Sequence, residues 1–415
     1  MTSGRHPNTA AAAVCETIGA GMEAAVIGAG IGGLTAALAL ARVGVSVRVY
    51  EQAPALREVG AGIQLAPNAT RLLHRLGLAA PLARVAVRPA QTVVRRWDDG
   101  RTLWSQPLAD TVEARFGAPY YHLYRPDLLA VLAEALPAGV LRLGRRLVAL
   151  EEQADGVALG FAEGESARAD VVVGADGIHS TVRAALLGSE SPRFSGSTAY
   201  RGLVPVERLA HLDLPRQGYS WLGPDRHFVH YYVAAGRLMN FVAVCPAGDW
   251  RIESWSARGR VEDARAEFAG FHPLVGEIIG AVDETFRWAL YDRAPLAAWS
   301  RGRVTLLGDA AHAMLPFLAQ GACQAIEDAA ALATLLAGVD RAAVAQRLAR
   351  YEALRKPRAT RIQQGSYENA TLYHLPDGPA QQERDARYAA LAQDVAYAAR
   401  GWLFDYDAEM EAAAS

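Results

Sequence analysis

The chain has 415 residues, 51% hydrophobic and 21% charged, the balance of an ordinary globular protein, which excludes disorder or a coiled coil for the whole. At roughly 150 residues per lobe, its length predicts two to three lobes. With 42 Lys+Arg against 44 Asp+Glu the formal charge is -2, so no basic field exists to hold nucleic acid or an anionic membrane, and the expected partner is a small molecule.

Cys15, Cys245 and Cys323 stand far apart with no CxxC pair, which argues against a disulfide framework, a dithiol reductase or a zinc site; no metal is expected, and the compartment is expected to be the reducing cytoplasm. Residues 1–22 read as a poorly ordered N-terminal extension with Met22 as a candidate start, and their short Ala run is poor signal-peptide design. Ala24 to Ala41 runs 18 residues without a charge, but four glycines interrupt it, so a membrane span is the weaker reading.

The same stretch predicts a strand at Ala24–Ile27, a turn at Gly28–Gly33, a helix over Leu34–Val43 ended by Gly44, and a second strand at Val45–Tyr50. A lone GxGxxG is weak, but this one follows a strand, opens a helix and has an acid, Glu51, 18 residues after Gly33. Gly28 allows the turn, Gly30 lets a pyrophosphate approach the backbone, and Gly33 lets helix and strand pack closely. The N–H groups of the helix start hold phosphates. Glu51 accepts from a ribose hydroxyl and disfavours a 2′-phosphate, so the nucleotide is FAD or NAD(H).

Further along, Asp170–Gly174 and Arg303–Leu307 read as buried strands, each followed by an aspartate, Asp176 and Asp309, at the end where open α/β sheets bind ligands. The simple alternative for Asp309 is a helix N-cap, and for Arg183 a solvated helix face. Phe194 to Phe286 is aromatic and alternating, as in Phe228–Val233, and reads as a β-sheet inserted into the nucleotide domain. A helix is expected from Gly321 to Leu336, and another over Arg341–Ser366 broken near Pro357. The expected fold is α/β, a Rossmann-type nucleotide-binding domain (FAD or NAD) with an inserted mixed β-sheet substrate domain and C-terminal helices. The nucleotide-binding domain takes 23–92, 120–190 and 287–345, the substrate sheet 93–119 and 191–286, and the helical region 346–415.

Taken together, EVGAGIQLAPNA (58–69), VVVGADGIHSTVR (171–183) and LLGDAAHAMLPFLAQGACQAIEDAA (306–330) resemble the single-component FAD-dependent aromatic hydroxylases of the p-hydroxybenzoate hydroxylase type, nearest the salicylate hydroxylase and 6-hydroxynicotinate 3-monooxygenase branch. The resemblance implies an aromatic monooxygenase: NADH or NADPH reduces FAD, reduced FAD and O2 form a C4a-hydroperoxide, and an OH passes to a phenolic or N-heteroaromatic ring. It also implies that Asp309 meets the ribityl chain, that Arg125 and Gln64 meet the cofactor, and that Gln52 and Leu147 lie near the adenine half. Asp176, with Gly177 and Arg183 around it, matches a motif associated with pyrophosphate and pyridine nucleotide. Pro316, Gly321 and Ala322 match the floor beneath the flavin, where a helix N-terminus can stabilise negative charge on reduced flavin. Cys323 reads as a packing residue.

For the substrate, the branch has a histidine and a tyrosine four residues apart on the inserted sheet, matched here by His227 and Tyr231. On a strand that spacing puts both on one face, about 13 Å apart. His227 is a candidate base and Tyr231 a candidate phenolate partner, against the plain reading of ordinary strand residues. Gln64 and Phe317 stand where the branch has histidines; Gln64 can hydrogen-bond but not act as a base, and Phe317 makes the pocket more apolar. The alternative activity is an FAD-dependent oxidase or dehydrogenase without oxygen insertion, and a third is a ligand-sensing flavoprotein. A monomer or homodimer is expected.

Overall fold

The computed structural model describes residues 21–56, 61–252 and 257–415. Most of the expected extension (1–20) and the start of the 58–69 motif lie outside the described residues.

One sheet has six strands, in the order Ser300–Arg301, Val304–Leu306, Val171–Gly174, Glu23–Ile27, Ser46–Glu51 and Leu141–Leu143. All its pairings are parallel except that of Ser300–Arg301. Its central strands are continuous apolar runs, EAAVI and VVVG, as burial on both faces demands. The first helix, Ile31–Arg42, starts earlier than its sequence pattern indicates and contains Gly32 and Gly33. The reason is packing. A Cβ on Gly33 would stand 2.0 Å from the Gly28 carbonyl oxygen, and one on Gly28, at φ 103°, would stand 2.4 Å from that of Ala175. Only glycine lets this helix begin so close to the strands.

An eight-stranded mixed sheet stands beside it, ordered Arg258–Gly259, Thr285–Asp292, Arg193–Pro205, Leu238–Pro246, Arg226–Val233, Gly218–Gly223, Gln91–Arg96 and Thr102–Pro107. Its pairings are antiparallel except that of Gly218–Gly223 with Gln91–Arg96. The outer face buries Trp221, Phe228 and Phe241 against Phe268, which follows the helix Val261–Glu267, and Ile278 of the helix Pro273–Gly280. The register places Arg201, Val242, Val229 and Ser220 in one row of the other, inner face, and Asn240, Tyr231, Gly218 and Thr92 in the next.

The long helix Val344–Tyr373 runs through Pro357 without the expected break. Arg355 and Arg358, on either side of the proline, are tied to the buried carboxylates of Glu327 and Asp328 in the helix Gly321–Leu336. Asp328 also accepts from the Gly308 N–H at 3.1 Å and contacts His312 Nε2 at 2.6 Å. Burial opposes its ionisation, but His312 and Arg355 outweigh burial and hold its pKa below the usual carboxylate value. Helices Pro379–Ala390, Gln393–Phe404 and Ala408–Ala414 complete the chain. No described helix is long and apolar enough to cross a membrane.

Arg355→Met removes the one cation shared by two buried carboxylates, leaving Glu327 with Arg358 and Asp328 with His312 and the Gly308 N–H, and should cost about 3 kcal/mol, whereas Arg387→Ala, at an exposed pair with Glu383, should cost about 0.5 kcal/mol. Denaturant titration of both variants checks the contrast.

Candidate functional site

The glycine turn is shaped for a phosphate group. A Cβ on Gly30 would meet nothing within 4 Å, and the helix it precedes has neither a side-chain cap nor an acid in its first turn. That leaves a positive helix end facing open space. Glu51 ends the second strand and accepts from the N–H groups of Ala29 and Ala53, both at 2.8 Å, so its carboxylate is fixed beside the turn. Gln52 is exposed next to it. Leu147 is buried across from Phe161, whose ring stacks on Tyr50 at 4.5 Å, which brings this strand alongside the Glu51 end of the second strand.

The other motif residues divide into two kinds. Asp309 opens the helix Asp309–His312 with its side chain exposed; Gly308 occupies the N-cap, so the capping reading of Asp309 fails. Asp176 is spent locally, accepting from the Ser180 hydroxyl and from the N–H groups of Thr181 and Val182. Arg183 is no solvated residue: it is buried and donates to the carbonyls of Ile178 and Ala310, joining this turn to the helix of Asp309. Arg125 opens the helix Arg125–Glu134, where its N–H donates to the Ala61 carbonyl. Pro316 is exposed, while Gly321 and Ala322 begin a helix that also lacks a side-chain cap and an early acid. Open turn, uncapped helix ends and exposed Asp309 fit a dinucleotide cofactor of the FAD type. Cys323 packs, its thiol pushed up to about 12 by burial.

On the inner sheet face the structure gathers the substrate candidates into two groups. His227 packs against Phe317, with ring centroids 5.3 Å apart, and its Nδ1 lies 2.7 Å from His374 Nε2. Tyr231 hydrogen-bonds Gln64, which also accepts from the Tyr120 hydroxyl at 2.6 Å. Gly62 approaches so closely that a Cβ there would stand 2.7 Å from the Tyr231 ring, and its N–H donates to Asn240 at 2.7 Å. His230, next to Tyr231, stacks on Tyr219 on the outer face and is not part of this group.

Sequence reading missed His122, whose ring is 4.4 Å from Tyr231, and Tyr120, Asn240, Tyr373 and His374. Asn240 carried a usable signal, a lone amide at an inward position of an apolar strand. His374 carried none, since only tertiary folding brings the end of the long helix to the sheet. Burial governs the electrostatics here. It pushes the Tyr231 and Tyr120 phenols far above their ordinary value and His122 down to about 3. His227 falls well below its usual value through burial and then His374; His374 itself falls to about 4, chiefly by burial. Arg201 is pushed down to about 10 by burial and by neighbouring Arg125.

Residues 21–366 match the family described as FAD binding domain. The 3-amino-4-hydroxybenzoate 2-monooxygenase PtnB3 of Streptomyces platensis is 49% identical over 384 residues, covering 92% of this chain and 96% of that protein. The 6-hydroxynicotinate 3-monooxygenase of Bordetella bronchiseptica is 42% identical, covering 84% and 91%. A salicylate hydroxylase substrate complex superposes with a TM-score of 0.80 at 29% identity, covering 94% of this chain and 97% of that one. Klebsiella pneumoniae HpxO complexed with FAD and uric acid gives 0.82 at 29%, covering 91% and 95%.

Asp309→Ala should fold but purify with markedly less flavin, read from the visible absorbance per protein. The neutral histidines set an acid limit. Their folded pKa values are depressed, so the stability is present above the unfolded value of about 6.5 and is lost as pH falls below it. His122, His227, His230 and His374 are all of this kind. Each should cost about 1 kcal/mol between pH 6 and pH 5. Denaturation at the two pH values measures the sum, and His230→Phe should make the slope shallower.

Proposed function

The chain belongs to the FAD-dependent aromatic hydroxylases, and from that premise we propose that its substrate is a hydroxylated aromatic acid of the amino-hydroxybenzoate or hydroxynicotinate class. It is an FAD-dependent monooxygenase. The observation that carries the substrate reading is the inner sheet face, where one phenol-binding group, Tyr231 with Gln64, and one neutral base, His227, stand on the same strand beside the apolar ring of Phe317. The 3-amino-4-hydroxybenzoate 2-monooxygenases, at 49% and 48% identity, favour that acid as the substrate to try.

FAD, when bound, supplies the oxygen chemistry, with NADH or NADPH as reductant. Gly28, Gly30, Gly33, Glu51, Gln52, Leu147, Arg125 and Asp309 are proposed to hold it, with Pro316, Gly321 and Ala322 beneath its ring system and Asp176 fixing the adjacent turn through Ser180, Thr181 and Val182. The protein's own task is to present the substrate ring and keep water away from it. If Nδ1–H donates to His374, His227 has Nε2 left as an acceptor that orients a polar substituent of the ring, and desolvation keeps the imidazole neutral. At the other end of the ring Tyr231, oriented by the Gln64–Tyr120 pair, is proposed to donate to the phenolate oxygen. The enzyme is proposed to work in the reducing cytoplasm, where the buried free thiols of Cys245 and Cys323 persist, as a monomer or homodimer. The eight-stranded sheet is proposed as the substrate domain.

The test is 3-amino-4-hydroxybenzoate with NADH or NADPH under isotopically labelled O2. The acid should accelerate nicotinamide oxidation, and its product should carry the label; a product without label overturns hydroxylation. Tyr231→Phe removes one hydrogen bond to a developing phenolate, worth about 1–3 kcal/mol, so coupled hydroxylation should fall roughly ten- to a hundredfold with flavin content unchanged. A parent-level rate in that variant removes Tyr231 from the pocket.

A further inference from the structure

The edge strand Thr102–Pro107 is covered by the helix Gln393–Phe404, which docks through Gln393 onto the Ser105 carbonyl and through Tyr397 onto that of Pro107. Between them lies Arg400. Its guanidinium donates to the Gln106 amide oxygen and stands over the Trp104 ring, 5.2 Å from the centroid. Among the described residues no carboxylate pairs with it. Its electrostatic neighbours are the phenols of Tyr120, Tyr373, Tyr388 and Tyr397, and desolvation lowers its pKa. Two further donors point the same way. The Gln106 side-chain nitrogen and the Trp104 indole N–H are both buried, and neither has a hydrogen-bond acceptor. A desolvated cation without an anion and two buried donors without acceptors are each expensive, and one bound anion would satisfy all three.

The position relates this cluster to the reaction. The register sets Gln106 opposite Thr92, Thr92 opposite Gly218, and Gly218 opposite Tyr231, so Gln106 and Tyr231 share one row of the inner face. Tyr120, hydrogen-bonded to Gln64, lies within electrostatic reach of both Arg400 and Tyr231. Tyr373 likewise senses Arg400 and packs on His227 at 5.4 Å. We propose that Arg400, Gln106 Nε2 and Trp104 Nε1 form a carboxylate site that anchors the acid group of the aromatic substrate and so selects acids over neutral phenols. The proposal rests on the aromatic-acid reading above. Arg201, an arginine of the inner face, sits beside the cation Arg125 and over Trp288, and serves as the competing candidate.

The experiment is calorimetric titration of FAD-loaded protein with 3-amino-4-hydroxybenzoate and with 2-aminophenol, the same ring without its carboxylate. The parent should bind the acid at least about 100-fold more tightly. Arg400→Met should reduce that ratio to below about 5, Arg400→Lys should restore part of it, and Gln106→Leu should weaken the acid by about tenfold while leaving 2-aminophenol unaffected. Arg201→Met should keep the parent ratio. A ratio that survives in Arg400→Met with its flavin retained overturns the site, as does its loss in Arg201→Met alone. A parent that binds both ligands equally sinks the aromatic-acid reading instead. Sodium acetate separates a free carboxylate from the substrate's: if acetate raises the melting temperature of the parent as much as the aromatic acid does, the substrate assignment falls.

Discussion

Two neighbouring carboxylates, Glu327 and Asp328, lie wholly inside the protein, and the arrangement around them decides where the segments at Asp309 and Gly321, proposed to meet the flavin, sit. Removing two charges from water costs several kcal/mol each, repaid only where every oxygen finds a partner. Asp328 spends one oxygen on Arg355 and the other on His312 and the Gly308 N–H, directly before Asp309. Glu327 takes Arg355, Arg358, Gln324 and Asn68, and Asn68 reaches on to Gln320, the residue before Gly321. Arg358 then donates to the carbonyls of Trp402 and Leu403 near the C-terminus. One network thus joins the turn before Asp309, the helix start at Gly321, the long helix and the last helices.

Charge and neutrality are separated across the interior. On the side of the glycine turn, uncapped helix ends at Ile31 and Gly321 collect positive potential of the kind that suits the negative charge of a dinucleotide. On the substrate side, His122, His227 and His374 are held neutral and Tyr120 and Tyr231 protonated by burial. A low-dielectric pocket of neutral donors and acceptors strengthens each hydrogen bond to a ring hydroxyl and excludes the water that would compete for it.

The nucleotide half was readable because its constraints are local. Gly28, Gly30, Gly33 and Glu51 fall within one strand–turn–helix–strand unit, so their spacing encodes their geometry, and Asp176 and Asp309 follow buried strands directly. Even there the reading of Asp176 was incomplete, since its bonds to Ser180, Thr181 and Val182 follow from a turn that composition does not reveal. The expected break at Pro357 failed for a non-local reason: Arg355 and Arg358 are tied to Glu327 and Asp328 far away in sequence, and tertiary ion pairs overrode a local breaker.

The substrate half obeys a simpler rule with a hidden term. Strand parity alone puts His227 and Tyr231 on one face and His230 on the other, as a period of two demands. Parity does not say which face looks inward; the apolar residues Trp221, Phe228 and Phe241 decide it by claiming the outer face for the two covering helices. What parity cannot supply is the set of residues that approach from elsewhere. His374 and Tyr373 come from the end of the long helix, His122 from the strand Tyr121–Tyr124 that pairs with Gly62–Leu65 and Tyr120 from just before it, and Arg400 from a helix covering the sheet edge. The inner face of the sheet therefore fixes only one wall of the pocket, and the groups opposite it are set by segments distant in sequence.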